Sequence, residues 1–256
     1  MLFTDIHCHI LPGIDDGAES IETADQMLSI AQEDGLENII ATPHFIYGQI
    51  NNTVEHIRQN AQEIIKLATM KGIQLYCGSE LFICPELYSL VGEGIASTLN
   101  NSRYVLIELP MLSIPDYTID VLFNLQLKGY VPIIAHPERN RSIQQKPNYL
   151  QDFVERGILA QINATSINRI YGSKVQEVAF ELIESGLAHF VASDAHTTRN
   201  RAPRLLKAYD VICKKFSKEV ADKLFCYNGK AVIYDREIAI ERPKEIKKKT
   251  IFSFLF

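Results

Sequence analysis

The residues most able to do chemistry begin at the N-terminus, in Asp5-Ile6-His7-Cys8-His9. Along an extended strand alternate side chains point the same way, so His7 and His9 share a face and Cys8 turns away. Two imidazoles so placed can hold one metal ion. His-x-His also arises by chance, so its meaning depends on whether the remaining chain supplies further ligands. The chain does so in a regular way. His44 follows a short apolar run, Glu80 and Glu108 close two others, and His136 follows a fourth. Asp194 and His196 follow the last, and Asp16 lies in the acidic loop after the first.

The elements that must position these residues are legible from apolar runs and breakers. Strands are expected at 2–10, 38–42, 73–80, 103–109, 131–135, 159–164 and 189–193. Helices are expected at about 20–34, with Ser20 as cap, and at 53–70, 116–128, 149–156, 173–184, 204–216 and 218–225. Seven buried strands alternating with helices imply a parallel sheet covered by helices. The α/β repeat predicts a single-domain, distorted (β/α)7 TIM-like barrel over 1–240. A doubly wound open sheet is the alternative. In both, ligands gather at the C-terminal ends of the strands, where these acids and histidines fall. His7, His9, His44, His136 and His196 are five of the seven histidines in the chain. His56, expected mid-helix, and His189, expected at the opposite end of the seventh strand, read as structural.

Imidazole and carboxylate without thiolate suit manganese, iron, zinc, cobalt or magnesium, and so many donors suit two or three ions. Arg139 and Arg201 follow His136 and His196 closely, and a guanidinium beside a metal cluster is a good phosphate clamp. Arg141 and Arg199 compete for that role on spacing alone. Asn163, placed on one face with Gln161 and Thr165, either lines the mouth or packs as a hydrogen-bonded core residue.

Other classes fit less well. A net charge of -5 argues against a general nucleic-acid binder. The five cysteines are odd in number and form no Cys-x-x-Cys, which suggests free thiols in a reducing, cytoplasmic compartment. No residue six beyond a cysteine is arginine, so the Cys-x5-Arg arrangement of thiol phosphatases is missing. No signal peptide or membrane-length apolar run is visible. The tail 241–256 mixes lysines with Ile251, Phe252, Phe254, Leu255 and Phe256. It reads as a loosely packed end, with docking to a partner or membrane surface as the alternative.

Several segments together resemble the polymerase and histidinol phosphatase superfamily, and within it the bacterial tyrosine-protein phosphatases of the CpsB/CapC/YwqE type. They are His7-Cys8-His9-Ile10 with Ile14-Asp15-Asp16-Gly17, Asn101 to Glu108, Ile134-Ala135-His136-Pro137-Glu138-Arg139, and Ala192-Ser193-Asp194-Ala195-His196. The resemblance spans about residues 1–235. It implies a trinuclear centre, with manganese the expected ion. His7, His9, Glu80 and Asp194 would hold the first ion. Glu80 would bridge to the second, with Glu108 and His136, and Asp16, His44 and His196 would hold the third. Arg139 and Arg201 would lie near the substrate phosphate. The implied activity is hydrolysis of phosphotyrosine, on a bacterial tyrosine kinase of capsule or exopolysaccharide synthesis, by a hydroxide bridging two metals. Hydrolysis of a small phosphomonoester such as histidinol phosphate is the runner-up. A non-catalytic metal-binding regulator and a proofreading nuclease are more distant readings. Asp5 is expected to orient an imidazole from behind.

Overall fold

The computed structural model describes residues 2–244, so most of the expected tail, 245–256, lies outside the described residues. The strands are β1 (Phe3–Cys8), β2 (Leu36–Ala41), β3 (His44–Phe45), β4 (Gln74–Cys77), β5 (Glu80–Phe82), β6 (Tyr104–Glu108), β7 (Val131–Ala135), β8 (Leu159–Asn163) and β9 (Phe190–Ala192). All pairings between these strands are parallel. They form one sheet in the order β1-β2-β4 and a second in the order β3-β5-β6-β7-β8-β9.

The two sheets are continuous along the chain, because the strand expected at 73–80 is interrupted once and the one expected at 38–42 resumes beyond its expected end. After β2, Pro43 carries no N–H for the ladder, and the chain resumes as β3. After β4, Gly78 and Ser79 break the strand before β5. A side chain on Gly78 would come within 2.9 Å of Leu99 Cδ2, so this crossing needs glycine. Hydrogen bonds span both breaks, from Gly78 N to Ala41 O at 2.8 Å and from Glu80 N to Pro43 O at 3.2 Å. At the other edge Cys8 bridges Ala195 in parallel. His9 N donates to Ala195 O at 2.8 Å, and Asp194 N donates to His7 O at 2.9 Å. Seven strand positions thus follow one another around a distorted α/β barrel. The described residues hold nine strands where seven were expected, because Gly78-Ser79 divides one strand position and a short strand follows Pro43 in another.

The helices fall close to expectation. Ile21–Glu33 is capped by Ser20, whose hydroxyl accepts from Thr23 N at 3.2 Å, and Val54–Met70 is capped by Thr53. Such caps satisfy backbone donors that the first turn leaves free. His56 lies in the first turn of that second helix, exposed, rather than at its middle. The expected helix at 218–225 is Lys218–Asp222, followed by a wider turn and a further helix, Asn228–Ile233. Among the described residues no helix is long and apolar enough to cross a membrane.

Inside the barrel, side chains change character along each strand. Leu106 and Tyr104 of β6, Ile133 and Ala135 of β7, Leu159 of β8, and Phe190 and Ala192 of β9 form an inner apolar cluster with Ile6 and Ile40. Two-residue periodicity carries the same faces upward to Glu108, Gln161 with Asn163, and Asp194. The alternate residues Val105, Ile107, Ile134, Ala160, Ile162 and Val191 belong to the outer core beneath the helices. The floor is apolar and the mouth polar, as a strand pattern of this kind requires.

His189 lies before β9, at the end of the barrel away from the mouth. It is 4% exposed, and its Nδ1 accepts the Ala160 N–H at 3.2 Å. Burial, then the nearby Lys223 ammonium, depress its pKa to about 4. The unfolded chain therefore binds the proton first, and stability falls as pH drops from about 6.5 to about 4. A shift of this size corresponds to roughly 3 kcal/mol. Urea unfolding across that range should show a shallower loss of stability in His189→Asn than in the native protein. Identical slopes would refute this origin.

Candidate metal centre

Every acid and histidine singled out at the strand ends is brought to the barrel mouth. His7 belongs to β1 and His9 follows it. The pairing register of β1 with β2 shifts between Asp5 and Cys8, and the alternation of side chains resets there. Ile6 therefore joins the barrel interior and Cys8 the outer core, while both histidines reach the cluster. His44 and Glu80 open the short strands β3 and β5, where they are direct partners across the ladder. They begin strands rather than end them, because the breaks at Pro43 and Gly78 reset both chains. Glu108 ends β6. His136 and Asp194 follow β7 and β9 with φ of 32° and 51°. A left-handed backbone is unfavourable for residues other than glycine and persists where surrounding structure enforces it.

Glu80 is the centre of the arrangement. Its Oε2 lies 3.2 Å from His7 Nε2, 3.3 Å from His9 Nε2 and 3.1 Å from His44 Nδ1. Its Oε1 lies 3.0 Å from His136 Nε2. Asp194 Oδ1 approaches His7 Nε2 at 3.5 Å and His9 Nε2 at 3.7 Å. Asp16 Oδ1 stands 3.4 Å from His44 Nε2 and 3.3 Å from His196 Nε2. Glu108 is 3.7 Å from His136 Nε2 and 3.8 Å from His44 Nδ1. Three donor groups close enough to hold an ion emerge: His7, His9 and Asp194; His9, Asp16, His44 and His196; and His44, Glu80 and Glu108. His44 stands between two groups, its Nε2 toward Asp16 and its Nδ1 toward Glu80.

The chemistry of this donor set fits divalent cations. His7 Nδ1 is 2.8 Å from Gln161 Oε1, and His9 Nδ1 is 2.8 Å from Asp15 Oδ2. Both partners accept, so both Nδ1 atoms carry hydrogen. In the neutral rings the two Nε2 lone pairs then face each other at 3.1 Å, against the oxygens of Glu80 and Asp194. That convergence of electron pairs is repulsive unless a proton or a metal cation lies among them. Glu80 Oε2 and His44 Nδ1 are buried without a hydrogen-bond partner, as atoms reserved for another ligand would be.

The titration of the cluster reflects the same crowding. Burial opposes charge on His9, yet the Asp15 hydrogen bond and Glu80 push its pKa up to about 10. Burial raises Glu80 and Asp194, but His7 with its neighbours holds both carboxyls well below the usual range. Glu108 is pushed to about 7, first by burial and then by the charge of Glu80.

Arg139 Nη1 donates to Asp194 Oδ2 at 3.1 Å, and Arg201 Nη2 donates to Asp194 Oδ1 at 2.9 Å. Arg141 and Arg199 make no comparable contact with Asp194. Asp5 differs from expectation. It accepts from Ser193 Oγ, from Ser193 N at 3.0 Å and from His7 N at 3.3 Å. It therefore fixes the backbone before Asp194 rather than an imidazole. Thr165 leaves the face of Gln161 and Asn163, because β8 ends at Asn163 and a helical turn begins. Sequence reasoning gave no role to Asp15, which orients His9 and also accepts from Gly17 N and His44 N. Its place in Asp15-Asp16-Gly17, between two ligand segments, was the available signal. It also missed Tyr171, whose ring lies 4.5 Å from the Arg139 guanidinium carbon.

The family model described as capsular polysaccharide synthesis, CpsB/CapC, matches residues 3–234. The chain belongs to the CpsB/CapC family. It is 36% identical over 252 residues to tyrosine-protein phosphatase YwqE of Bacillus subtilis, covering 98% of this chain and 99% of that protein. It is 30% identical over 241 residues to tyrosine-protein phosphatase CpsB of Streptococcus pneumoniae, covering 91% and 99%. A crystal structure from work on YwqE and CpsB, described as metal-dependent tyrosine phosphatases, matches with a TM-score of 0.91 at 35% identity, covering 97% of this chain and all of that one. A lactonase of Listeria monocytogenes matches at 0.59 with 14% identity and supports the fold alone.

Gly17 is where the site loop presses on His9. A Cβ there would lie 2.1 Å from His9 O and 2.6 Å from His9 Cβ. Gly17→Ala should displace His9 and lower the metal content of purified protein, read by elemental analysis, whereas His56→Ala should leave it unchanged. Equal content in both variants would refute the role given to this contact.

Proposed function

We propose that this chain is a metal-dependent protein-tyrosine phosphatase, with residues 1–240 as its catalytic unit. The observation that carries the reading is the pairing of a multi-ligand centre with two guanidiniums at one mouth. His7, His9, Asp16, His44, Glu80, Glu108, His136, Asp194 and His196 would hold three divalent ions, manganese first among the candidates. Divalent cations held there supply a nucleophile from water at neutral pH and neutralise charge on a transferring phosphoryl group.

The chain's own residues do the rest. Arg139 and Arg201 approach Asp194 from two sides, and Arg201 Nε is buried without a partner. That N–H is available to a phosphoryl oxygen, and fixed donors of this kind stabilise charge as it develops. Tyr171 stacks on Arg139 and limits its swing. The loops after β3 and β6 expose Tyr47 and Leu112, which offer apolar surface to a protein substrate. A phenolate departs readily, so the site needs no strong general acid for phosphotyrosine. Thiol chemistry is disfavoured, since Cys8 is wholly buried and burial pushes its pKa well above the ordinary value.

The proposed substrate is a bacterial tyrosine kinase of polysaccharide synthesis, met in the cytoplasm. Assays should find hydrolysis of a phosphotyrosine peptide that chelation abolishes and manganese restores. Arg139→Ala and Arg201→Ala should each cut kcat/KM by about 100- to 1000-fold while metal content stays constant. Clear preference for histidinol phosphate over the peptide would replace this reading with a small-molecule phosphatase. No turnover of either, with full metal content, would favour a regulator.

A further inference from the structure

One buried polar chain links two of the proposed ligands from behind the centre. His7 Nδ1 lies 2.8 Å from Gln161 Oε1, Gln161 Nε2 donates to Asn163 Oδ1 at 2.8 Å, and Asn163 Nδ2 donates to Asp194 Oδ2 at 2.7 Å. His7, Gln161 and Asn163 are wholly buried, and Asp194 is 2% exposed. Gln161 and Asn163 are inward residues of β8, one above the other over the apolar Leu159. A long polar side chain in such a place is costly unless its groups are bonded.

The chain has a direction that its end groups impose. An ionised carboxylate only accepts, so Asp194 requires the amide NH2 of Asn163 to face it. The carbonyl of Asn163 then faces Gln161 and requires that residue's NH2. The carbonyl of Gln161 is left facing His7, and a carbonyl requires a ring N–H. Each amide passes the donor–acceptor order onward by one residue.

We propose that Gln161 and Asn163 are positioning residues that set the tautomer of His7. The carboxylate of Asp194, acting through two amides, fixes hydrogen on His7 Nδ1 and aims the Nε2 lone pair at Glu80 and Asp194. The role rests on the reading of His7 and Asp194 as metal ligands. Asp15 serves His9 by a different device, a carboxylate bonded directly to its Nδ1 at 2.8 Å. The two neighbouring imidazoles are thus oriented differently. His9 has an anion behind it. His7 has a neutral amide behind it, which orients the ring without adding charge.

The relay makes distinct forecasts for near-isosteric changes. Gln161→Leu removes the acceptor behind His7. Nitrogen NMR of protein labelled at histidine, stripped of metal and held at about pH 8, above the ordinary imidazole range, reads the tautomer directly. The native protein should hold His7 with hydrogen on Nδ1 alone, and Gln161→Leu should populate both tautomers. Titration of Mn2+ against a competing fluorescent chelator should find about 10- to 100-fold weaker binding in Gln161→Leu. Should Gln161→Leu fail to fold, by circular dichroism, Asn163→Ala interrupts the same chain one link further on and should give the same mixture of tautomers.

An unchanged tautomer with native Mn2+ affinity in the folded Gln161→Leu or Asn163→Ala protein would overturn the relay. Failure of native protein to bind Mn2+ would overturn the metal-centre reading instead. The tautomer measurement, which needs no metal, would still decide the relay.

Discussion

Three imidazole nitrogens, from His7, His9 and His44, crowd within 3.3 Å of one buried carboxylate oxygen, Glu80 Oε2, and two of them face each other at 3.1 Å. Left to themselves these groups compete for too few protons. The buried site then retains charge that water would otherwise solvate. Divalent cations held in the three donor groups would relieve that competition by giving the lone pairs partners. The fold's task is to hold mutually repelling electron pairs together firmly enough for this to happen.

It does so with backbone and with hydrogen bonds from outside the cluster. Pro43 and Gly78 break two strand positions at the same level, and that places His44 opposite Glu80. The register shift in β1 brings His7 and His9 to the mouth. Left-handed backbone at His136 and Asp194 turns both side chains back toward the centre, a conformation that surrounding contacts must sustain. Asp5 contributes by fixing the Ser193 backbone, Asp15 by orienting His9, and Gly17 by letting the loop press on His9.

Asp194 joins the structural and chemical sides of the site. One oxygen takes Arg201 and faces the histidines, while the other takes Arg139 and Asn163. A group that would bind substrate phosphate is therefore organised by a residue that would bind metal. Changes at either reach the other through two hydrogen bonds, so their effects on activity will not be additive.

Much of this was written in residue types and spacing. Alternating apolar runs and helices gave the barrel, and acids and histidines at the run ends marked one mouth, because strand ends in such folds converge. The absence of a Cys-x5-Arg arrangement set thiol chemistry aside. Spacing could not choose Arg139 and Arg201 over Arg141 and Arg199, since that choice depends on which guanidinium reaches Asp194. Nor could it assign Asp5, which shares the strand of His7 yet bonds to Ser193, 188 positions away. Whether Asn163 lined the mouth or packed as a core polar residue was likewise open, and in the barrel it is buried and also bonds Asp194. The sequence by itself determined which donors the protein owns and at which end of the barrel they gather. Only tertiary structure decided which nitrogen faces which oxygen. Hydrogen-bond direction is set by partners that the chain brings from distant strands.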